Sequence, residues 1–472
     1  MSTYSIELLA SVKRGSGQPL RRQIEDQLRR AIRSCTLKLG SPLASTRDFA
    51  RQLGVSRPVV VQAYAQLAAE GYIVIKRGAR PRVARCIGSC RPRGARRQSI
   101  ISSPKVDFRP ASPDLSAFPR SAWLRSLRAA LATMPNDAFG HGDPMGEEAL
   151  REALAEYLGR VRGLVADADR MVVVNGHTHG RALVCRTLKA AGVKRVAVED
   201  PCQPGLPAAV ESAGLKVVPI PIDCDGIDVH ALYRSHAEAV FLTPAHQFPI
   251  GAVMSGERRT AVLGWLRDRD AIAVENDYDA EYRYDRAPVS ALQALEPDRI
   301  VYEGTTSQTL APALQLAWLV VPPALLATAR RDQNDYGWGA PRIDQYAFAD
   351  FLLRGELDRH LRRQRASYRS RRDALLQALK KSLPEATVCG ISAGLHATIA
   401  FPKADDERAI QREAQRRGVA VSTLSESEII HRARPPMLVL GYANVNEATI
   451  GVGINELAAA VRAARLRRPV SA

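Results

Sequence analysis

From residue 106 to residue 321 the sequence alternates short apolar runs with helical stretches, and that alternation dictates a layered α/β fold. Candidate buried strands fall at 171–174, 196–199, 217–220, 240–243, 272–275, 300–303 and 318–321. They are short, rich in Val and Ile, and largely continuous in their apolar character, which suits strands covered on both faces. Helical stretches at 146–160, 180–190 and 256–267 lie between several of them. Such a succession is satisfied by a mainly parallel sheet, with sites expected at the carboxyl ends of its strands. A charged helix around 357–380 leads into a segment with its own strands and helix, expected as a smaller C-terminal α+β subdomain at about 380–472.

The chain has 472 residues, too many for one core, and its charge is unevenly shared. Residues 1–97 hold twenty Lys or Arg against five acids (Glu7, Glu25, Asp26, Asp48, Glu70), a net of +15 out of +18. The remaining 375 residues carry only +3. A basic front on a nearly neutral body points to one module that meets a polyanion and one that does not. No run of eighteen uncharged apolar residues occurs, so no membrane span is expected. The first residues lack an apolar core followed by a cleavage site, and seven scattered cysteines form no disulfide framework. A reducing cytoplasm is the expected location.

The basic front has its own helical pattern. Leu20, Ile24, Leu28 and Ile32 recur at helical spacing. Ser45, Thr46, Arg47 and Asp48 read as a serine N-cap with an acid three residues on, opening a short helix that stops at Gly54. Ser56 is expected to cap a third helix with Val60, Ala63, Tyr64 and Leu67 facing inward. Two short helices joined by so tight a turn are a helix-turn-helix signature. Residues 71–75 and 80–83 then read as a two-stranded wing with Lys76 and Arg77 at its tip. The third helix of such a module enters the major groove of double-stranded DNA. Arg47 and Arg57 stand at helix starts, where side chain and helix amides together hold phosphate. Residues 86–105 mix Gly, Pro, Ser and Arg without periodicity, as a basic linker does. Cys86 and Cys90 lie in it, but no second ligand pair follows, so no metal site is expected.

Two resemblances follow from these motifs. The pieces STR and GVSRPVVVQAYAQLAAEGY, within about 18–84, resemble the winged helix-turn-helix of GntR-family bacterial transcription regulators. The wing departs from that family's glycine-rich tip. From about residue 108 onward, FGHGDPMGEEALREALAEYL, TPAHQFPIGAVMSGERR, ENDYDAEYRYD and GTTSQTLAPALQLAWLVVPP resemble fold-type I aminotransferases that bind pyridoxal phosphate. A GntR module (1–85), a linker (86–105) and an aminotransferase-like body (106–472) together resemble MocR-type, GabR-like regulators. That resemblance implies an effector-sensing body, a head-to-tail homodimer and no catalysis.

It also implies where a cofactor would sit, and the residues there depart from the pattern. Gln308 falls at the lysine that forms the imine, and no lysine occurs between Lys216 and Lys380. Asn276 falls at the carboxylate that pairs with the pyridine nitrogen, with Asp277 one residue on. Gln315 replaces a phosphate-binding arginine, and Gln203 replaces a stacking aromatic. His177, Thr178 and His179 occupy the turn that holds the phosphate in the family. His246, Gln247, Tyr278 and Ser307 are expected to line the same cleft. The sequence therefore leads to a DNA-binding regulator with a degenerate pocket and no covalent cofactor. Its effector stays unknown at this stage. A regulator binding pyridoxal phosphate weakly and noncovalently is the second reading, and a working aminotransferase the third.

Overall fold

The computed structural model describes residues 12–84 and 104–467, apart from 16, 35, 77, 111, 285–288, 337–338 and 403. Arg77 and most of the linker, with Cys86 and Cys90, lie outside the described residues. The chain folds as two compact units, Met1–Ile101 and Ser102–Ala472.

In the first unit, helices Leu20–Arg33 (α1), Thr46–Leu53 (α2) and Arg57–Ala69 (α3) precede strands Ile73–Val74 (β1) and Arg82–Val83 (β2), which pair antiparallel. Ile24, Leu28, Phe49, Val60, Tyr64, Leu67, Ile73 and Val83 make its core. The start of α2 closes as its sequence dictates: Ser45 Oγ accepts from the Asp48 amide at 3.1 Å and donates to the Asp48 carboxylate at 2.6 Å. Gly54 ends the helix in the left-handed conformation, φ 64°, which glycine adopts without strain. One expectation is corrected here. Ser56 sits at the N-cap position of α3, but its side chain makes no capping hydrogen bond; Pro58 in the first turn supplies the pre-set backbone instead.

The second unit is built on an eight-stranded sheet. Its strands are Met171–Asn175 (β4), Arg195–Asp200 (β5), Lys216–Asp223 (β6), Gly226–Ile227 (β7), Ala239–Leu242 (β8), Ile272–Asp277 (β9), Ile300–Thr305 (β10) and Leu316–Val320 (β11), after a first short strand Val106–Asp107 (β3). The spatial order is β4-β11-β10-β9-β8-β5-β6-β7. The five central strands from β10 to β6 run parallel, while β11 and β7 run against their neighbours. All seven expected strands fall in this sheet. The helix Glu356–Ser382 then leads to Thr387–Cys389 (β12), His396–Ala400 (β13), Val419–Ala420 (β14), Ser422–Thr423 (β15) and Met437–Gly441 (β16). Four of these form an antiparallel sheet in the order β12-β13-β16-β15. The fifth, β14, pairs parallel with β3 in a two-stranded sheet of its own, so residues 106–107 join the C-terminal segment rather than the large sheet.

Strand β9 carries a buried charge pair. Arg162 Nε donates to Asp277 Oδ2 at 2.7 Å, both side chains are nearly inaccessible, and the Tyr302 hydroxyl donates to the same oxygen at 2.7 Å. Removing one partner strands the other charge in the interior. Asp277→Ala is expected to lower stability by about 3–5 kcal/mol, read from the denaturant midpoint of the body.

Candidate functional site

Two candidate sites emerge, one in each unit. In the first, the starts of α2 and α3 present Ser45, Thr46, Arg47, Ser56 and Arg57. Arg47, Ser56, Arg57 and Lys76 are exposed, and neither Arg47 nor Arg57 forms an ion pair among the described residues. The Tyr64 hydroxyl on α3 donates to the Ala44 carbonyl at 3.0 Å, pinning the entry to α2 against α3. Two helix starts with exposed guanidiniums on one small rigid core suit a phosphate backbone.

The second site is a cavity of about 580 Å³ in the body. Its floor comes from the carboxyl ends of the parallel strands and the turns that follow: Gln203, Thr243, Asn276, Tyr278, Thr305, Ser307 and Gln308. Its other lining comes from the smaller subdomain, through His396, Ser422, Glu426 and Ser427, and from β3 and the segment after it, through Asp107, Arg109 and Ser112. Pleat alternation decides which acid or amide of β9 faces inward. Asn276 lines the cavity, whereas Asp277 is turned to the other face, onto Arg162. The Asn276 Oδ1 is buried and accepts no hydrogen bond among the described residues.

At one end, where the helix Gly176–Ala190 begins, a packed polar network replaces open space. His177 Nδ1 lies 2.5 Å from the buried Glu303 carboxylate, and its Nε2 lies 3.0 Å from the Gln203 side-chain oxygen. Arg181, one turn along the helix, bonds to both His177 and Gln203. Gln315 is exposed; its side-chain oxygen would stand 2.8 Å from a Cβ at Gly176, and it does not line the cavity. Thr178 is likewise exposed and outside the wall, and His179 accepts from its own turn's Asn175 amide instead.

His246 and Gln247, expected at the cleft, stand buried behind it. His246 Nδ1 pairs with Asp279 at 2.9 Å, and the Tyr278 hydroxyl donates to the His246 carbonyl at 3.1 Å. Gln247 donates to the carbonyls of Pro201 and Phe248 and holds Glu199, whose carboxyl burial lifts to about 7. Burial, together with the neighbouring His246, holds His396 well below the ordinary histidine range, so it faces the cavity as neutral imidazole. Most of the far wall escaped sequence reasoning. Its residues lie far from the strand-end motifs in sequence, and only the stretch beginning at Phe108 carried any signal.

The comparisons with known proteins agree with this architecture. Residues 20–83 match the gntR family of bacterial regulatory proteins, and residues 114–457 match aminotransferase class I and II. The body's fold resembles the multiple substrate aminotransferase of Thermococcus profundus, with a TM-score of 0.71 over 78% of this chain and 93% of that one, at 22% identity. Fold and front module together define a DNA-binding transcription regulator with an aminotransferase-like body. Over 95% of its length the chain is 33% identical to the probable rhizopine catabolism regulatory protein MocR of Rhizobium meliloti, covering 94% of that protein. It is also 33% identical to the pyridoxine biosynthesis regulator PdxR of Corynebacterium glutamicum, over 85% of this chain and 87% of that one. The chain belongs to the MocR-type group of GntR-family regulators.

If Arg57 meets phosphate, Arg57→Ala weakens operator binding and flattens the plot of log affinity against log salt by about 1 in slope. Fluorescence anisotropy across a salt series checks this, and an unchanged slope would remove Arg57 from the interface.

Proposed function

We propose that this regulator works in the cytoplasm as a homodimer and that its body senses a small molecule noncovalently, without catalysing amino transfer. One observation carries the reading: the described lining of the cavity holds no lysine, and the carboxamides of Gln308 and Asn276 stand in it. The pyridoxal phosphate implied by the fold is held in such bodies through a lysine imine. Gln308 offers a carboxamide nitrogen in that turn, whose lone pair is delocalised into its carbonyl and does not condense with an aldehyde. Asn276 supplies no negative charge to hold a proton on a pyridine nitrogen. At the phosphate end, the buried Glu303 carboxylate and the His177–Gln203–Arg181 network occupy the ground, and Gln315 brings a neutral amide. The residues present do not fit the covalently held cofactor.

The homodimer is supported by apolar side chains left exposed on the body's helices, Leu124 and Leu131 on Arg120–Thr133 and Leu353 at the end of Arg342–Leu353. In this reading two winged modules share one dimeric body, and ligand binding shifts the balance between arrangements that suit the operator and those that do not. A second reading, pyridoxal phosphate as a noncovalent effector, draws on the start of the helix Gly176–Ala190 beside the cavity, where Thr178 is exposed.

Titration of the purified protein with pyridoxal phosphate, followed by borohydride treatment and intact-mass measurement, tests both. The expected result is unchanged mass. A protein carrying one reduced cofactor per chain would overturn the role given to Gln308, and saturable binding that dialyses away would favour the second reading.

A further inference from the structure

Where the two sheets of the body meet, three side chains with metal-binding atoms converge. His246 comes from the turn after β8, Asp279 from the turn after β9, and His396 from the first position of β13. One donor atom from each lies within 4.8 Å of the other two, and all three residues are buried. Asp279 and His396 also line the cavity, so the group sits at its wall and not in a sealed core. The approach is close because Gly394, just before β13, has no side chain. A Cβ there would fall 2.0 Å from His246 Cε1 and 2.5 Å from Asp279 Oδ2.

The hydrogen bonds around the group suit ligation. His396 Nε2 lies 3.2 Å from the Pro249 carbonyl, which only accepts, so the proton stays on that nitrogen and the other keeps a lone pair. A backbone carbonyl holding one ring nitrogen is the usual way a ligating histidine is oriented. His246 Nδ1 and Asp279 Oδ2 stand 2.9 Å apart, close to the spacing of two atoms that share one ion through bonds of about 2.0–2.2 Å. A histidine serving the fold alone would have both its buried nitrogens satisfied. His246 Nε2 is buried with no hydrogen-bond partner among the described residues.

We infer that His246, Asp279 and His396 bind a divalent transition-metal ion, and that zinc is the ion their two nitrogens and one carboxylate suit. The ion takes the place of the proton between His246 and Asp279, and His396 completes the protein's share of the ligands. Three protein ligands leave a fourth position, which opens on the cavity that Asp279 and His396 line. Bound there, zinc ties the turns after β8 and β9 to the start of β13, joining the two sheets at one point. It would sit there whether or not the cavity senses an effector.

Calorimetry on the untagged full-length protein, stripped with EDTA and dialysed, tests the site with zinc chloride against magnesium chloride. The expected result is one saturable zinc site per chain and no heat from magnesium, which prefers oxygen ligands. Asp279→Asn, which keeps the shape of the side chain, and His396→Gln should each weaken zinc by at least about tenfold. Cys224→Ser, in the exposed group Asp223, Cys224 and Asp225, should leave zinc binding unchanged. The absence of saturable zinc binding overturns the inference, and so does binding that survives both ligand variants or that Cys224→Ser removes. Should both ligand variants lose the circular dichroism spectrum of the parent, proton NMR of the parent protein loaded with Co²⁺ decides. Two hyperfine-shifted imidazole N–H signals that vanish in deuterated water support the site, and fewer than two overturn it.

Discussion

The alternation of side chains along β9 governs the body's chemistry. Asp277 is committed to the far face by Arg162 and Tyr302, in a place where an unpaired charge is costly. With that residue anchored, the strand cannot slip by one position without burying Asn276 against a guanidinium and turning an acid into the cavity. The neutral character of the floor is therefore a consequence of an ion pair that never touches it. The adjacent Glu275, accepting from the Leu292 and Gln293 amides at 2.8 Å each, holds the same strand a second time.

The cavity is a joint between two sheets of different construction. Parallel strands supply a floor of strand ends, while the antiparallel C-terminal sheet and the segment after β3 supply the cover. Parallel strands cannot complete such a site alone, because their helices cover the faces and leave only the ends open. The polar network of His177, Gln203, Arg181 and Glu303 closes one end of the space from below.

Much of this was legible in the sequence, for identifiable reasons. Buried strands announce themselves as short apolar runs, and the winged module by its caps and its inward stripe, so both were readable. The inward set Val60, Ala63, Tyr64 and Leu67 is buried as its spacing dictates. Motif position also brought His177, Gln203, Asn276, Tyr278, Ser307 and Gln308 to one wall. It misplaced Thr178, Gln315, His246 and Gln247, because a motif gives a residue's place on the chain and not its rotation about the backbone. His246 turns into the protein because Asp279 is there to receive it. The far wall was not readable, since contacts between residues 107–112 and 395–439 leave no local pattern.

The pairing of β3 with β14 has a mechanical meaning. The segment that follows the linker is stitched at once to β14 of the C-terminal segment, and it contributes Asp107 and Arg109 to the cavity wall. The linker is thus tethered to the cover of the cavity and not to its floor. The chain thus enters the body on the cover of the cavity, where a strand of two residues fixes its course.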